Sequence, residues 1–217
     1  MNKILVIAVH PDDETLGCGG TLLKHKAHND TIHWLICTDL NPNHPYYKTR
    51  QEEIQKVSSL YHFDSIINLK LQTMKIDEYS MSELITKISH TINQIKPTHI
   101  YLPFKGDVHS DHRKIFEASY SCTKSFRYPF IKKIYMMETL SETEFSPIEG
   151  ENFIPNTFVD ISEYLEKKLD IMQIYTSELA KHPFPRSLEN IKALATFRGA
   201  TSGTFFAESF MLLKDIR

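Results

Sequence analysis

Ile4-Leu5-Val6-Ile7-Ala8-Val9-His10-Pro11-Asp12-Asp13-Glu14 is the stretch on which the fold turns. Its first six residues are apolar without interruption. They are too few to span a bilayer, and they run into a histidine, a proline and three acids instead of a small-residue cleavage site. This pattern predicts a buried first strand with His10 at its carboxyl end, where open α/β sheets place their ligand sites. Pro11 fixes its own φ and keeps His10 extended, so the next turn presents Asp12 and Asp13 while Thr15 onward begins a helix.

Outward from this stretch, apolar runs alternate with helix-compatible segments, the pattern of βαβ units and a parallel sheet. Strands are expected at Ile4–Val9, Thr31–Thr38, Ser65–Leu69, His99–Pro103 and Ile134–Met137, rich in Ile, Leu, Val or Tyr between polar turns. Helices are expected at Thr15–Ala27, Lys48–Tyr61, Ser82–Lys96 and Asp111–Lys124, the third started by the capping-box spacing of Ser80 and Glu83 and stopped by Pro97. A fifth is expected over Ser162–Ser177, with Ile161, Leu165, Leu169, Met172 and Tyr175 along one face. The proline-bearing stretches Ser141–Asn156 and Lys181–Ser187 read as loops, and the tail Phe205–Leu213 as a strand at the sheet edge. The fold class is therefore α/β, a Rossmann-like three-layer sandwich with a mostly parallel sheet, expected as one domain over residues 1–217.

Composition excludes more than it identifies. With 217 residues, 41% hydrophobic and 24% charged, the chain matches an ordinary globular protein. Its net charge of -2 offers no basic footprint for nucleic acid, and no segment has the roughly 20 apolar residues of a membrane span. Three widely spaced cysteines, Cys18, Cys37 and Cys122, suggest buried thiols in a reducing compartment, so the expected location is cytoplasmic. Gly17, Gly19 and Gly20 lack the G-x-G-x-x-G spacing and follow three acids, which disfavours a pyrophosphate; close packing of the first helix explains them better.

The chemistry lies in two clusters. Adjacent carboxylates in a turn point in different directions, so one of Asp12 and Asp13 can coordinate a metal while the other faces the metal-bound water. Asp13, one turn on from His10, is the better ligand candidate. The second cluster, Asp107-Val108-His109-Ser110-Asp111-His112, follows the fourth strand and should reach the same sheet edge, with His109 and His112 three apart on one helix face. Two histidines and a carboxylate with an open position form a catalytic zinc pattern, and the same donors serve non-haem Fe(II). Taken singly, a strand-end histidine is usually a satisfied surface residue and an Asp-Asp turn a helix cap; two such clusters at parallel strand ends favour a metal site. The other histidines have no comparable setting.

These motifs resemble the LmbE-like, or PIG-L-like, family of zinc-dependent N-deacetylases. Residues 8–14 are similar to its A-H-P-D-D-E signature with Val9 inserted, and His109-Ser110-Asp111-His112 to its H-x-D-H motif. Arg50 with Glu52 and Glu53, and Arg198-Gly199 through Gly203 to Ala207-Glu208, resemble two further family segments. Leu71-Gln72-Thr73-Met74 stands where many members carry a Pro-Asp-Gly turn, and Tyr175-Thr176-Ser177-Glu178 ends in Glu where the family segment ends in Gln. The resemblance implies an LmbE-like fold and zinc ligation by His10, Asp13 and His112. It also implies general-base work by Asp12 and transition-state support from His109; in the mechanism expected from these residues, Asp111 orients that ring and favours its charged form. Arg50 is placed to meet a substrate hydroxyl or phosphate, or to pair with Glu53. The implied activity is removal of an N-acetyl or other N-acyl group from a small amino-sugar conjugate, as in surface-polysaccharide or glycoconjugate biosynthesis, by an enzyme expected as a homo-oligomer. Two other readings stay open: a metal-free α/β nucleotide-binding module, and a metallohydrolase of another bond such as a phosphate ester.

Overall fold

Five parallel strands, β1 (Lys3–Ala8), β2 (Thr31–Asp39), β3 (Ser65–Gln72), β4 (His99–Leu102) and β5 (Lys133–Met137), alternate with helices α1 (Asp13–Ala27), α2 (Tyr47–Tyr61), α3 (Met81–Ile95) and α4 (Ser110–Ser121). The chain then adds β6 (Thr157–Asp160), α5 (Leu165–Met172), α6 (Leu188–Ser202) and β7 (Ala207–Asp215). The computed structural model describes residues 1–146 and 152–217. Sheet order is β3-β2-β1-β4-β5-β7-β6, with β7 antiparallel to both of its neighbours.

The uninterrupted apolar run of β1 follows from its central place, because both of its faces are covered. Ile4, Val6 and Ala8 enter one core with Leu22 of α1, Val57 of α2, Leu169 of α5 and Ile191 of α6. Leu5, Ile7 and Val9 enter the other with Ile88 of α3 and Ile115 of α4. The three layers expected from sequence are thus present. β1 pairs on one side with β2 and on the other with β4, so the connections leaving β1 and β4 diverge and open a crevice at the carboxyl edge.

The first four helices begin within two residues of expectation, and Ser80 Oγ accepts from the Glu83 amide at 3.2 Å at the start of α3. Further along, the expectations need correction. The helix expected over Ser162–Ser177 contracts to Leu165–Met172. The tail does form a strand, but β7 lies between β5 and β6 and not at the edge. The edge is β6, just beyond the stretch read as a loop over Ser141–Asn156, of which residues 147–151 lie outside the described part. Neither β6 nor α6 is signalled by periodicity: β6 has four residues, and α6 buries only Ile191, Ala195 and Gly199, a narrow stripe. The start signal of α6 was present, since Ser187 accepts from the Asn190 amide, as was its stop at Gly203 with φ 76°.

One irregularity positions the site. α1 is kinked at Cys18 (φ -151°, ψ 21°), which separates the first turn, carrying Asp13 and Glu14, from the rest of the helix. A kink leaves backbone groups without helical partners, and a buried ion pair takes them up. Glu208 accepts from the amides of Gly20 and Thr21 at 2.8 and 2.7 Å, while Lys168 donates to the Leu16 carbonyl at 2.9 Å and to Glu208 at 2.7 Å. Hydrogen bonds to both carboxylate oxygens in this way are what make a buried pair tolerable. It also gives the Ala207-Glu208 motif a structural role. The glycines here serve close packing as expected, since a Cβ on Gly20 would stand 2.7 Å from Ile161 Cγ2 and one on Gly17 2.9 Å from Met137 Cβ. Among the described residues no helix is long and apolar enough to cross a membrane.

Candidate metal centre and active-site cleft

His10 at the end of β1 and His112 in the first turn of α4 are 102 residues apart, yet His10 Nδ1 and His112 Nε2 stand 3.3 Å apart. Asp13 Oδ2 lies 3.4 Å from His112 Nε2 and 3.9 Å from His10 Nδ1. Ligand atoms held about 2.0–2.1 Å from a tetrahedral zinc are separated by about 3.3 Å, so the three side chains fit a metal with little adjustment. The Asp13 carboxylate is fixed by the amides of Val9 and His10, which donate to Oδ2 at 2.9 and 2.8 Å.

His112 is held from behind. Its Nδ1 meets Asp107 Oδ2 at 2.8 Å, and Asp107 Oδ1 accepts from Thr143 Oγ1 at 2.7 Å, all three side chains being buried. A carboxylate behind an imidazole puts the proton on Nδ1 and turns the Nε2 lone pair toward His10 and Asp13, the usual support of a metal-bound histidine. The surroundings demand positive charge: burial pushes His112 down, but the Asp13 carboxylate and the Asp107 hydrogen bond and charge outweigh it and raise the group to about 9. A divalent cation satisfies the same demand. Asp107→Asn is therefore expected to weaken metal affinity by about 10–100-fold while leaving the fold intact, measured by competition with a chromogenic chelator.

His10, His109 and Asp111 form a second donor group sharing His10. Here His10 Nε2 is buried without a hydrogen-bond partner and faces Asp111 Oδ2 at 3.6 Å. Asp111 also accepts from the Met74 amide at 2.8 Å, tying the Leu71–Met74 turn to the site. The carboxylate thus stands behind His10, which differs from the expected contact with His109. It is the Asp111 backbone amide that meets His109, donating to Nδ1 at 3.2 Å. His109 lies with its ring 4.7 Å from that of His10. Burial, then the charges of His10 and His112, lower His109 to about 4 against the opposing pull of Asp111 and Asp13, which corrects the expected charged form: the ring is neutral, with its proton on Nε2 because Nδ1 accepts from the Asp111 amide.

Beside these donors opens a cleft of about 280 Å³ whose wall includes His10, Asp12, Asp13, His109, Glu178 and Arg186. Asp12 occupies the N-cap position of α1, but its side chain makes no capping bond, so the helix-cap reading does not describe it. Burial first, then Asp13 and Glu178, hold its carboxyl well above the usual carboxylate range against the lowering effect of Arg186, whose guanidinium stands 3.6 Å from Asp12 Oδ2. A carboxylate made more basic in this way is suited to accept a proton near neutral pH.

Arg50 borders the cleft, and most of its donors are taken inside the protein. Nη1 donates to the Pro11 carbonyl at 2.9 Å, Nη2 to Ser177 Oγ at 2.9 Å and to Glu178, and Nε lies 3.4 Å from Glu53. Arg186, Glu178 and Glu142 are cleft residues that sequence reading left out. Arg186 and Glu142 fall in stretches read only as loops, and the role of Glu178 depends on its pairing with Arg50 and Arg186.

Comparison with known proteins agrees with this architecture. The chain is 23% identical over 233 residues to the diacetylchitobiose deacetylase of Thermococcus kodakarensis, covering 100% of this chain and 85% of that protein. The structure of N,N'-diacetylchitobiose deacetylase from Pyrococcus horikoshii superposes with a TM-score of 0.79 at 18% identity, over 98% of this chain and 84% of that one. A 4-carboxy-2-hydroxymuconate hydratase from Pseudomonas putida superposes with a TM-score of 0.78 at 13% identity, over 100% and 98% of the two chains. One fold thus carries more than one reaction, and the fold alone does not choose between them. The family described as PIG-L: GlcNAc-PI de-N-acetylase matches residues 5–123, more than half of the chain and both halves of the donor cluster, and this protein belongs to that family.

Proposed function

We propose that this protein is a zinc-dependent hydrolase that removes an N-acetyl group from a small amino-sugar conjugate. The observation that carries the reading is the convergence of His10, Asp13 and His112 donor atoms beside a cleft that Asp12 lines. Family membership and the deacetylase relative support the choice of bond. The cleft is at the small end of ligand pockets, which suits one sugar ring and its acyl group. An acidic turn at the α1 N-terminus, where a nucleotide-binding module would cradle phosphate, disfavours the nucleotide alternative.

His10, Asp13 and His112 would hold the metal, with Asp107 behind His112 and Asp111 behind His10. Bound zinc supplies Lewis acidity and brings the pKa of a coordinated water down to about 7. Asp12 takes a proton from the attacking water as its oxygen bonds to the amide carbon. His109, neutral with its proton on Nε2, offers a hydrogen bond to the developing oxyanion. When the carbon–nitrogen bond breaks, Asp12 returns its proton to the leaving nitrogen, so water and amide yield acetate and a free amine. Arg186 and Glu178 are placed to meet sugar hydroxyls.

The test is a panel of N-acetylated amino sugars and sugar phosphates assayed with zinc and with chelator. Equal release of acetate and amine, abolished by chelation and restored by zinc, is expected. Phosphate release without acetate would overturn the reading in favour of a phosphate-ester hydrolase.

A further inference from the structure

Asp12 has a positive-φ backbone, and its values, φ 141° and ψ -27°, lie where a residue with a Cβ is strained, outside the left-handed region that the neighbouring Met74 (φ 61°) and Ser141 (φ 73°) adopt. Such a conformation persists only when its surroundings impose it. The peptide unit joining Pro11 to Asp12 is gripped at both ends. Its carbonyl accepts from Arg50 Nη1 at 2.9 Å, and its amide donates to Glu14 Oε2 at 3.1 Å. Rotating this one peptide plane by half a turn would bring Asp12 into the ordinary right-handed region, so these two bonds stand between the strained conformer and a relaxed one.

Both grips are themselves locked. Glu14 is fully buried, lies off the cleft wall, and receives Thr15 Oγ1 at 2.6 Å and the Tyr175 hydroxyl at 2.9 Å on its other oxygen. A buried carboxylate beside two others is costly unless it is hydrogen-bonded, and Glu14 receives donors on both oxygens. Arg50 is seated between the rings of Tyr46 and Tyr175, each 5.6 Å away, and pairs with Glu178 and Glu53.

We propose that Glu14 and Arg50 are positioning residues that clamp the Pro11–Asp12 peptide in its strained orientation and so hold the Asp12 carboxylate in its working place. This rests on the reading of Asp12 as the proton acceptor. Relaxing φ tilts the Cα–Cβ bond, and misplacing a reacting group by about 1 Å costs on the order of 10²-fold in rate.

The experiment has two arms. In the first, Glu14→Ala is expected to lose about 10²-fold in kcat, with KM changed less than about threefold and bound zinc retained. Glu14→Gln should recover most of that loss, because its amide oxygen still accepts from Asp12 while its NH2 donates to the hydroxyls of Thr15 and Tyr175, which rotate to accept. An unchanged kcat in Glu14→Ala, or no recovery in Glu14→Gln, overturns the clamp.

The second arm reads the backbone by thermal unfolding and needs no turnover. Asp12→Gly and Asp12→Asn both remove the charge, but only glycine relieves the strain. Glycine should melt about 3–8 °C above asparagine in the otherwise unaltered protein, and the difference should vanish when Glu14→Ala is added. Should Glu14→Ala not fold, Arg50→Lys releases the other end of the same peptide and carries the same comparison. A difference that persists in the released background overturns the clamp. If the unaltered protein hydrolyses no N-acetyl sugar, the functional reading fails, while the melting comparison still decides the clamp on its own.

Discussion

Asp12→Asn is expected to lower kcat on an N-acetyl sugar by about 10²–10⁴-fold, the range that a positioned general acid–base contributes, while zinc remains bound. Asparagine keeps the size and backbone of the residue and leaves His10, Asp13 and His112 untouched; it removes only the capacity to take a proton. KM should change little, because the group acts on the attacking water and the leaving nitrogen. The pH dependence supplies a second check. Kcat/KM of the unaltered enzyme should rise with pH through the titration of Asp12, which burial holds well above the ordinary carboxylate range, and that limb should be missing from the residual activity of Asp12→Asn. Zinc content by elemental analysis and initial rates across pH settle the matter. An Asp12→Asn enzyme with undiminished kcat would sink the role given to Asp12.

His112→Ala is expected to remove metal and activity together and also to destabilise the protein. The side chain is fully buried, and its loss strips Asp107 of its imidazole partner, leaving that buried carboxylate, among the described side chains, with Thr143. Breaking a buried pair by deleting one member costs about 3–5 kcal/mol. The sign with pH follows from Asp107. Burial already raises its pKa, with His112 and Thr143 working against the rise, so removing His112 raises it further. A folded-state pKa above the unfolded one means the penalty is absent below the unfolded carboxylate pKa and grows as pH climbs. Melting curves of His112→Ala should therefore converge on those of the His112→Ala/Asp107→Asn double variant toward pH 4 and fall below them toward pH 8, a comparison free of the stability that protonated His112, raised to about 9, lends the unaltered protein at low pH. Adding Asp107→Asn should recover part of the stability at pH 8 and none of the metal binding. A His112→Ala protein that retains stoichiometric zinc would remove His112 from the ligand set.

Much of this molecule is legible in local sequence. The β1 run is continuously apolar because the strand is covered on both faces, and Ser80 with Glu83 signals the start of α3 because capping is settled within four residues. The tail was readable as a strand, but its place between β5 and β6 was not. Pairing partners are chosen by the sheet as a whole, and the antiparallel neighbour β6 is too short to announce itself. Similarly, α6 escaped because a helix packed along Ile191, Ala195 and Gly199 needs little apolar surface to hold it.

The donor cluster divides in the same way. Which residue types are available, and that His10 and His112 follow parallel strands, is decided by the sequence through strand periodicity and strand-end position, both of which act over a few residues. The meeting of His10 Nδ1 and His112 Nε2 at 3.3 Å across 102 residues is decided by β1 and β4 pairing at the point where the strand order reverses. Only tertiary packing turns Arg50 inward onto Pro11, sets Asp111 behind His10, brings Arg186 from a proline-rich loop to Asp12, and grips the strained peptide from both ends. Apart from the Glu14 bond to Asp12, which spans two residues and is held by Tyr175 from afar, these contacts join segments distant in the chain, and their energies come from burying charge and hydrogen-bonding groups together, for which no local pattern of residues is a signal.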